Sequence, residues 1–238
     1  MDNLSISIAA RAMWAPDLTD TASWQSWSGN ALPADTGLVP DVRFIEPLLR
    51  RRLGRLSRMA LHVAHQAAAE LESVPTIFAS RHGELSRTVD MLHALAADEA
   101  PSPAAFSLSV HNSAAGIFSI SRGDPSPSTA LAAGEETLLW ALLDATTRLT
   151  ADPDSPILLV YADEPLPSEY QAFTTATESA HAIALLLQPG DDIHLAWSEN
   201  LDHPPSPEPL SLAVLAHLLG RRESLAWHGE RLSVYGHA

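Results

Sequence analysis

The chain has 238 residues and is 46% hydrophobic, enough for one large domain with a sizeable core. It contains no cysteine, which excludes disulfides, thiolate metal ligands and a thiol nucleophile supplied by this chain. Fourteen basic residues against 29 acidic ones give a net charge of −15, which argues against a nucleic-acid or anionic-membrane surface for the whole molecule.

All the basic residues are arginines, so Schiff-base chemistry and a P-loop lysine are excluded. The N-terminal sequence lacks the basic segment and long apolar run of a signal peptide. No apolar stretch approaches the roughly 18 residues of a membrane span. The expected location is therefore the cytoplasm.

Hydrophobic periodicity predicts strands that alternate with helices along the chain. Strands are predicted at residues 4–10, 76–80, 128–131, 157–163, 181–188 and 193–197. Helices are predicted within residues 44–71 and at 84–97, 134–150 and 210–219. The helix at 84–97 is expected to bury Leu85, Val89, Leu92 and Leu95. This alternation indicates an α/β fold with helices layered on a mixed sheet.

Polar residues follow the predicted strand at 76–80 in the sequence SRHGELSRT. Such residues at the carboxyl end of a strand often line a site. The alternative is an ordinary strand-to-helix turn, in which Gly83 permits the bend and Glu84 favours the helix N-terminus.

Histidines are numerous, eleven in all, but they are scattered. His62 and His65 are three residues apart on a predicted helix, and no metal-ligand spacing such as HExxH occurs. His111 and Asn112 lie within small and apolar residues, where a histidine is more often a hydrogen-bonded core residue than a catalytic one. Neither a metal site nor a cofactor is expected.

A serine hydrolase of the α/β type would carry the G-x-S-x-G nucleophile elbow, and this chain has none. The nearest analogue is LAAGE, residues 131–135, which has the strand–turn–helix setting with Ala133 in the middle. Carboxylates at Glu135, Glu136, Asp163, Glu164 and Glu169 could form an acid/base pair, but the sequence does not determine their separation.

Six of the fourteen arginines fall within residues 43–58, a local basic patch on an acidic chain. Its densest part contains Arg50, Arg51, Arg52, Arg55 and Arg58. The patch could attract an acidic partner or a phosphate-bearing carrier, or it could be a solvated helix face.

Four segments in collinear order resemble the N-terminal half of the β-ketoacyl synthases, which have the thiolase fold. They are SVHNSAAGIFSI, DPSPSTALAAGEETLLWALLDA, ILLVYADEPLP and HAIALLLQP. In the first, Asn112, Ala115 and Gly116 match the N-x-x-A-G pattern of the family. The resemblance implies a truncated thiolase-like fold, with layered helices on a mixed five-stranded sheet. Residues 1–238 would form a single domain, with about 190–238 as a divergent C-terminal extension.

Two departures from the family pattern bear on function. Ala133 stands where ketosynthases carry the nucleophilic cysteine, and the half of the family that holds its two catalytic histidines has no counterpart here. His82 and His111 do not correspond to those histidines. The resemblance therefore implies a chain without an acyl-enzyme step of the ketosynthase type.

A ketosynthase-like chain without the cysteine resembles the chain length factors of type II polyketide systems. The segments FASRHGELSRT, SLSVHNSAAGIFSI and TALAAGEET further resemble the short ketosynthase-like proteins of aryl polyene pigment clusters in Gram-negative bacteria. This resemblance implies a heterodimer with a catalytic β-ketoacyl synthase and transient contact with an acyl carrier protein.

In that family the strand before the nucleophile pairs across the dimer, and here it would be residues 128–131. Residues 106–113 would lie near the partner's acyl tunnel. The implied interface and tunnel residues are Phe106, Leu108, His111, Asn112, Phe118, Ser128, Leu131, Ala133, Gly134 and Glu135. Two alternatives stay open: a carrier-protein binding module acting through the arginine patch, and a stand-alone thioester decarboxylase or hydrolase using Glu135, His111 or His82.

Overall fold

Seven strands form one mixed sheet in the computed structural model, which describes residues 4–173, 179–197 and 203–237. The strands are β1 (Leu4–Trp14), β2 (Thr76–Ala79), β3 (Ser128–Leu131), β4 (Ile157–Asp163), β5 (His181–Trp197), β6 (Ser224–His228) and β7 (Leu232–His237). The helices are α1 (Thr21–Ser26), α2 (Pro47–Arg50), α3 (Arg55–Ala67), α4 (Leu85–Ala96), α5 (Pro103–Ser107), α6 (Ser113–Arg122), α7 (Thr137–Ala151) and α8 (Leu210–Leu218). Short 3₁₀ helices cover Gly134–Glu136 and Ser168–Phe173.

The strand order divides the sheet into two connected parts. In the first part the order is β3-β2-β4-β5-β1, with β2 parallel to both β3 and β4 and the other pairs antiparallel. In the second part, the later half of β5 pairs with β1 and with β7, and β7 pairs with β6. Among the described residues β3 pairs only with β2, so it forms an edge of the sheet.

The predicted sheet of five strands is too small, because β6 and β7 add two strands to it. The strands predicted at residues 181–188 and 193–197 are instead one strand, β5, which continues through the Pro-Gly segment that was expected to separate them. The register of β1 on β5 jumps from Ser7↔Gln188 to Ile6↔Ile193, which leaves residues 189–192 as a bulge. Side chains of β1 tie this bulge down: the Ser5 hydroxyl donates to Asp191 at 2.9 Å, and Ser7 accepts from the Asp191 N–H at 3.0 Å. Whether residues 190–238 are a divergent extension stays a prediction, although much of this segment lies in the same sheet.

Helices cover both faces of the sheet and create two apolar cores. All seven residues of β4 are buried, as its uninterrupted apolar run predicts for a strand covered on both faces. Successive β4 side chains alternate between the cores: Leu159 packs with residues of α7 and α8, whereas Leu158 and Val160 pack with residues of α3 and α6.

Two predicted helices differ from the structure. The region 44–71 contains the short α2 and the longer α3, because Pro47 begins one helix and Gly54 precedes the next. In α4 only Val89 is buried, and Leu92 and Leu95 are 48% and 54% exposed, so the expected inward face is wrong for this chain. Within the described ranges, no helix is both long enough and apolar enough to cross a lipid bilayer.

Candidate functional site

The carboxyl ends of the three parallel strands bring the polar residues of the sequence motifs together at one edge of the sheet. Ser80 and Arg81 follow β2, Ala133 follows β3, and Asp163 is the last residue of β4. Parallel strands end at the same side of a sheet, which is where α/β folds usually bind ligands. This edge is the candidate site.

A sharp turn connects β3 to α7 at Ala133. Ala133 has φ −148° and ψ 42°, and Gly134 follows with φ +58°, a left-handed conformation that favours glycine. The Thr137 hydroxyl fastens the turn, since it donates to the Gly134 carbonyl at 2.7 Å and accepts the Ala133 N–H at 2.9 Å. The strand–turn–helix setting predicted for Ala133 is thus present, with a methyl group at its apex.

A buried ion pair joins the ends of β2 and β4. The Asp163 side chain is 2% exposed and that of Arg81 6%, with Nε to Oδ2 at 2.7 Å. Asp163 also accepts hydrogen bonds from the Arg81 backbone N–H at 2.9 Å, from the Ser80 hydroxyl at 3.0 Å and from the Tyr161 hydroxyl. With so many donors, the buried carboxylate is well compensated for its loss of water.

The same arginine reaches the turn after β3. Arg81 Nη1 donates to Glu135 Oε2 at 2.9 Å, and the Glu135 side chain is 68% exposed. Arg81 therefore lies between two carboxylates and connects all three strand ends. Of the other acidic candidates, Glu136 accepts a hydrogen bond from Trp140 Nε1 at 2.9 Å, and Glu169 pairs with His93 at 2.9 Å.

His111 belongs to the same edge. Its Nε2 lies 2.8 Å from the Ser80 carbonyl oxygen, which can only accept, so this nitrogen carries the proton. A Cβ on Gly83, which has φ +57°, would lie 2.9 Å from the His111 ring, so the glycine permits the close approach. Asn112 is exposed next to it, whereas His82 is exposed and has no such contact with Ser80.

A second carboxylate cluster lies beside the site, at the start of α4. Glu84 is buried and accepts hydrogen bonds from the Ser57 backbone N–H, at 3.1 Å, and from the Ser57 hydroxyl. Glu164 accepts a hydrogen bond from the Ser86 hydroxyl at 3.2 Å. Burial, and then the neighbouring charge of Glu84, raise the pKa of Glu164 to about 7.

The arginine patch is not a uniform basic surface. Arg55 donates to Asp35 at 2.6 Å and to the Leu38 carbonyl at 3.0 Å, and Arg58 donates to the Arg50 carbonyl at 2.8 Å. Arg50 and Arg58 are half-buried, whereas Arg51 and Arg52 are exposed. In the densest part of the patch, the arginines open to a partner are therefore Arg51 and Arg52.

The predicted interface and tunnel residues fall into two groups. Phe106 is 67% exposed on α5, and Ser128 is exposed on β3; Leu108 and Leu131 are half-buried. Phe118, in contrast, is 1% exposed and packs against Phe78, with ring centroids 5.8 Å apart. Their roles at an interface or tunnel stay predictions, but Phe118 lies in the core of this chain.

Sequence reasoning missed the contact between Arg81 and Asp163, although both motifs were singled out. The usable signal was that each residue lies at the carboxyl end of a strand and that the two strands are parallel neighbours. It also missed a buried contact between His181 and Ser211, which lie 30 residues apart. No group of three metal-ligating side chains occurs within residues 4–173, 179–197 and 203–237.

Comparison with known proteins gives both the family and the fold. The family described as beta-ketoacyl synthase, N-terminal domain, matches residues 24–234. No curated protein matches the chain. A chain in the structure of a ketosynthase (ApeO) in complex with its chain length factor (ApeC) from Xenorhabdus doucetiae is 25% identical to this chain, with a TM-score of 0.84. The match covers 98% of this chain and 99% of that chain.

Two more distant matches have the same fold. The ishigamide ketosynthase/chain length factor is 17% identical, with a TM-score of 0.63, over 91% of this chain and 73% of that one. A type II PKS acyl-carrier protein in complex with its ketosynthase (AntDE:AntF) matches at 13% identity and a TM-score of 0.60, over 92% of this chain and 75% of that one. The expected thiolase-like fold is thus confirmed.

Breaking the buried ion pair should destabilise the chain strongly. In Asp163→Asn the Arg81 guanidinium loses its buried carboxylate partner, so we expect a loss of about 3 kcal/mol in the free energy of unfolding. Glu135→Gln is the matched control, because it removes the exposed carboxylate partner and should cost about 1 kcal/mol or less. Urea denaturation measures both, and equal losses would contradict the central position of Asp163.

Glu164 should make the stability fall as pH rises. Its pKa is raised in the folded chain to about 7 from the ordinary 4.5, so the folded state holds its proton more tightly. The stability is unaffected below pH 4.5 and falls between pH 4.5 and 7. Glu164→Gln should therefore match the parent chain at pH 4 and exceed it at pH 8, by up to about 3 kcal/mol. Glu169→Gln changes an exposed site and should give no such gain. A parent chain that is as stable at pH 8 as the Glu164→Gln variant would refute the raised pKa of Glu164.

Proposed function

Because the chain belongs to the β-ketoacyl synthase family through its N-terminal domain, we propose that it is a non-catalytic chain length factor. It pairs with a catalytic β-ketoacyl synthase, and it shapes the acyl tunnel during carrier-protein-dependent chain extension of the aryl polyene polyketide type. The observation that carries the proposal is Ala133. The turn after β3 has the strand–turn–helix form that presents a nucleophile in ketosynthases, but it carries a methyl group at the apex.

The match to the ApeO–ApeC complex supports this function. The match covers nearly all of both chains, so that chain has about the same length as this one. The complex joins a ketosynthase to its chain length factor, and we extend that arrangement to this chain. The chemistry of condensation would then come from the synthase subunit, which supplies the thiol that this chain lacks.

The open edge of β3 supports pairing with a synthase. The hydrogen bonds at the two ends of its pairing with β2 show which residues face β2. The Thr76 N–H donates to the Pro127 carbonyl at 2.9 Å, and the Ser80 N–H donates to the Leu131 carbonyl at 3.2 Å. The N–H and C=O of one strand residue point to the same side, and the side alternates along the strand. Ser128 and Ala130 therefore present their backbone groups outward, to a strand of the partner.

Exposed apolar side chains support a lasting interface next to this edge. Ile120 of α6, a helix that packs beside β3, is 77% exposed, and Phe106 of α5 is 67% exposed. Apolar surface of this kind is typical of obligate interfaces. We assign Phe106 and the half-buried Leu108, two residues later in the sequence, to the tunnel, and Ser128 and Leu131 to the strand contact.

Carrier-protein contact is assigned to Arg51 and Arg52, which are exposed at one end of the arginine patch. Arg55 and Arg58 hold the patch in place through their hydrogen bonds to Asp35 and to the Arg50 carbonyl.

The site supports a stand-alone hydrolase at Glu135 or His111 less well. Glu135 is engaged by Arg81, and His111 donates to a backbone carbonyl.

Blocking the outward edge of β3 should abolish pairing with the synthase. Ala130→Pro removes one outward N–H without removing a bond to β2, so the chain should fold but lose co-purification with a co-expressed candidate synthase. Thr129→Pro is the contrasting variant, because it removes an inward N–H and should destabilise the chain itself. Unchanged co-purification of a folded Ala130→Pro chain would rule out pairing through β3.

Changing the volume of Phe106 should change product length. Phe106→Ala should lengthen the chains released by the reconstituted complex, and Phe106→Trp should shorten them, as mass spectrometry of the products would record. Phe173→Ala is the matched control, since Phe173 is 81% exposed on a different segment and should leave the length unchanged. Unaltered length in both Phe106 variants would favour the alternative of a carrier-protein binding module without a tunnel role.

A further inference from the structure

A histidine and a serine that have no part in the proposed function form a buried pair at the other end of the candidate site. His181 is the first residue of β5, and Ser211 lies in the first turn of α8. His181 Nε2 and Ser211 Oγ are 2.9 Å apart, and His181 Nδ1 is 2.8 Å from the Ser179 carbonyl oxygen. The two residues are 6% and 1% exposed.

The partners of the ring determine which nitrogen carries the proton. The Ser179 carbonyl can only accept a hydrogen bond, so Nδ1 is the protonated nitrogen. Burial lowers the pKa of His181, and the ring is therefore neutral near pH 7. Nε2 is then unprotonated and accepts the hydroxyl proton of Ser211. This is the arrangement of a nucleophile, a general base and a group that orients the base.

A cavity gives the pair room for a substrate. It has a volume of about 340 Å³, within the range of small-molecule sites, and both His181 and Ser211 lie in its wall. Its other lining includes the apolar side chains of Leu32, Pro209 and Leu212. Arg81 also borders the cavity.

We propose that Ser211 is a nucleophile activated by His181, and that it accepts the acyl group of an ester or thioester with a short apolar acyl chain. Ser211 Oγ forms a bond to the carbonyl carbon while its proton passes to His181 Nε2. The tetrahedral intermediate then breaks its bond to the leaving alcohol or thiol, which takes that proton. Water, deprotonated by the same nitrogen, releases the acid and restores the serine. This hydrolysis is separate from condensation, in which the chain is non-catalytic, and it does not depend on pairing with a synthase.

A fluorophosphonate probe tests the proposal on the intact chain. Peptide mass spectrometry of the labelled chain should find the adduct on Ser211, and Ser211→Ala should remove it. His181→Asn should slow labelling about 100-fold, because a general base contributes on that order. Ser233→Ala is the matched control: Ser233 also contacts a histidine, His228 Nδ1 at 3.0 Å, but lies between two strands of the sheet, and its loss should leave labelling unchanged.

A second measurement uses the parent chain alone, so it does not depend on the folding of any variant. With p-nitrophenyl butyrate, an acid quench should trap a butyryl group on Ser211. A parent chain that shows neither the probe nor the butyryl adduct on Ser211 would overturn the proposal. So would labelling at an undiminished rate in a folded His181→Asn chain, since Ser211 would then act without the histidine.

Discussion

The buried pair of Arg81 and Asp163 is the contact on which the rest of the site depends. The pair joins the ends of β2 and β4, which are parallel neighbours in the sheet. Arg81 also binds a second carboxylate, Glu135, in the turn after β3. A cation with 6% of its side chain exposed is stable only when its partners are well placed, so the pair holds the three strand ends in one arrangement. The position of Ala133 is a consequence of that arrangement.

The turn at Ala133 keeps its shape without a nucleophile to present. Gly134 in a left-handed conformation and the two hydrogen bonds of Thr137 maintain the bend between strand and helix. In the proposed function, a subunit that contributes surface and volume still needs this bend, because the bend sets the relative position of β3 and α7. An alanine at the apex is therefore compatible with an intact turn, as the proposed role in completing an interface requires.

Sequence patterns that extend over a few residues predicted the elements whose own residues carry the signal. Examples are β4, with its uninterrupted apolar run, and the strand–turn–helix around Ala133. The continuation of β5 was not predictable, because the bulge after Gln188 is held by Ser5 and Ser7 of a strand some 180 residues earlier. The exposed Leu92 is a case of the opposite kind: periodicity identifies an apolar face but not whether the rest of the chain covers it. In the site, the sequence marked Ala133, Asp163 and the motif that contains Arg81, but not the contacts through which this arginine links the strands.

The central claim is that this chain contributes to condensation without performing it. The direct measurement is chain extension from malonyl-loaded carrier protein by a candidate synthase, with and without this chain, and by this chain alone. The account predicts full-length products only when both proteins are present, and no condensation by this chain alone. Equal yield and product length from the synthase without this chain, or condensation by this chain alone, would contradict it.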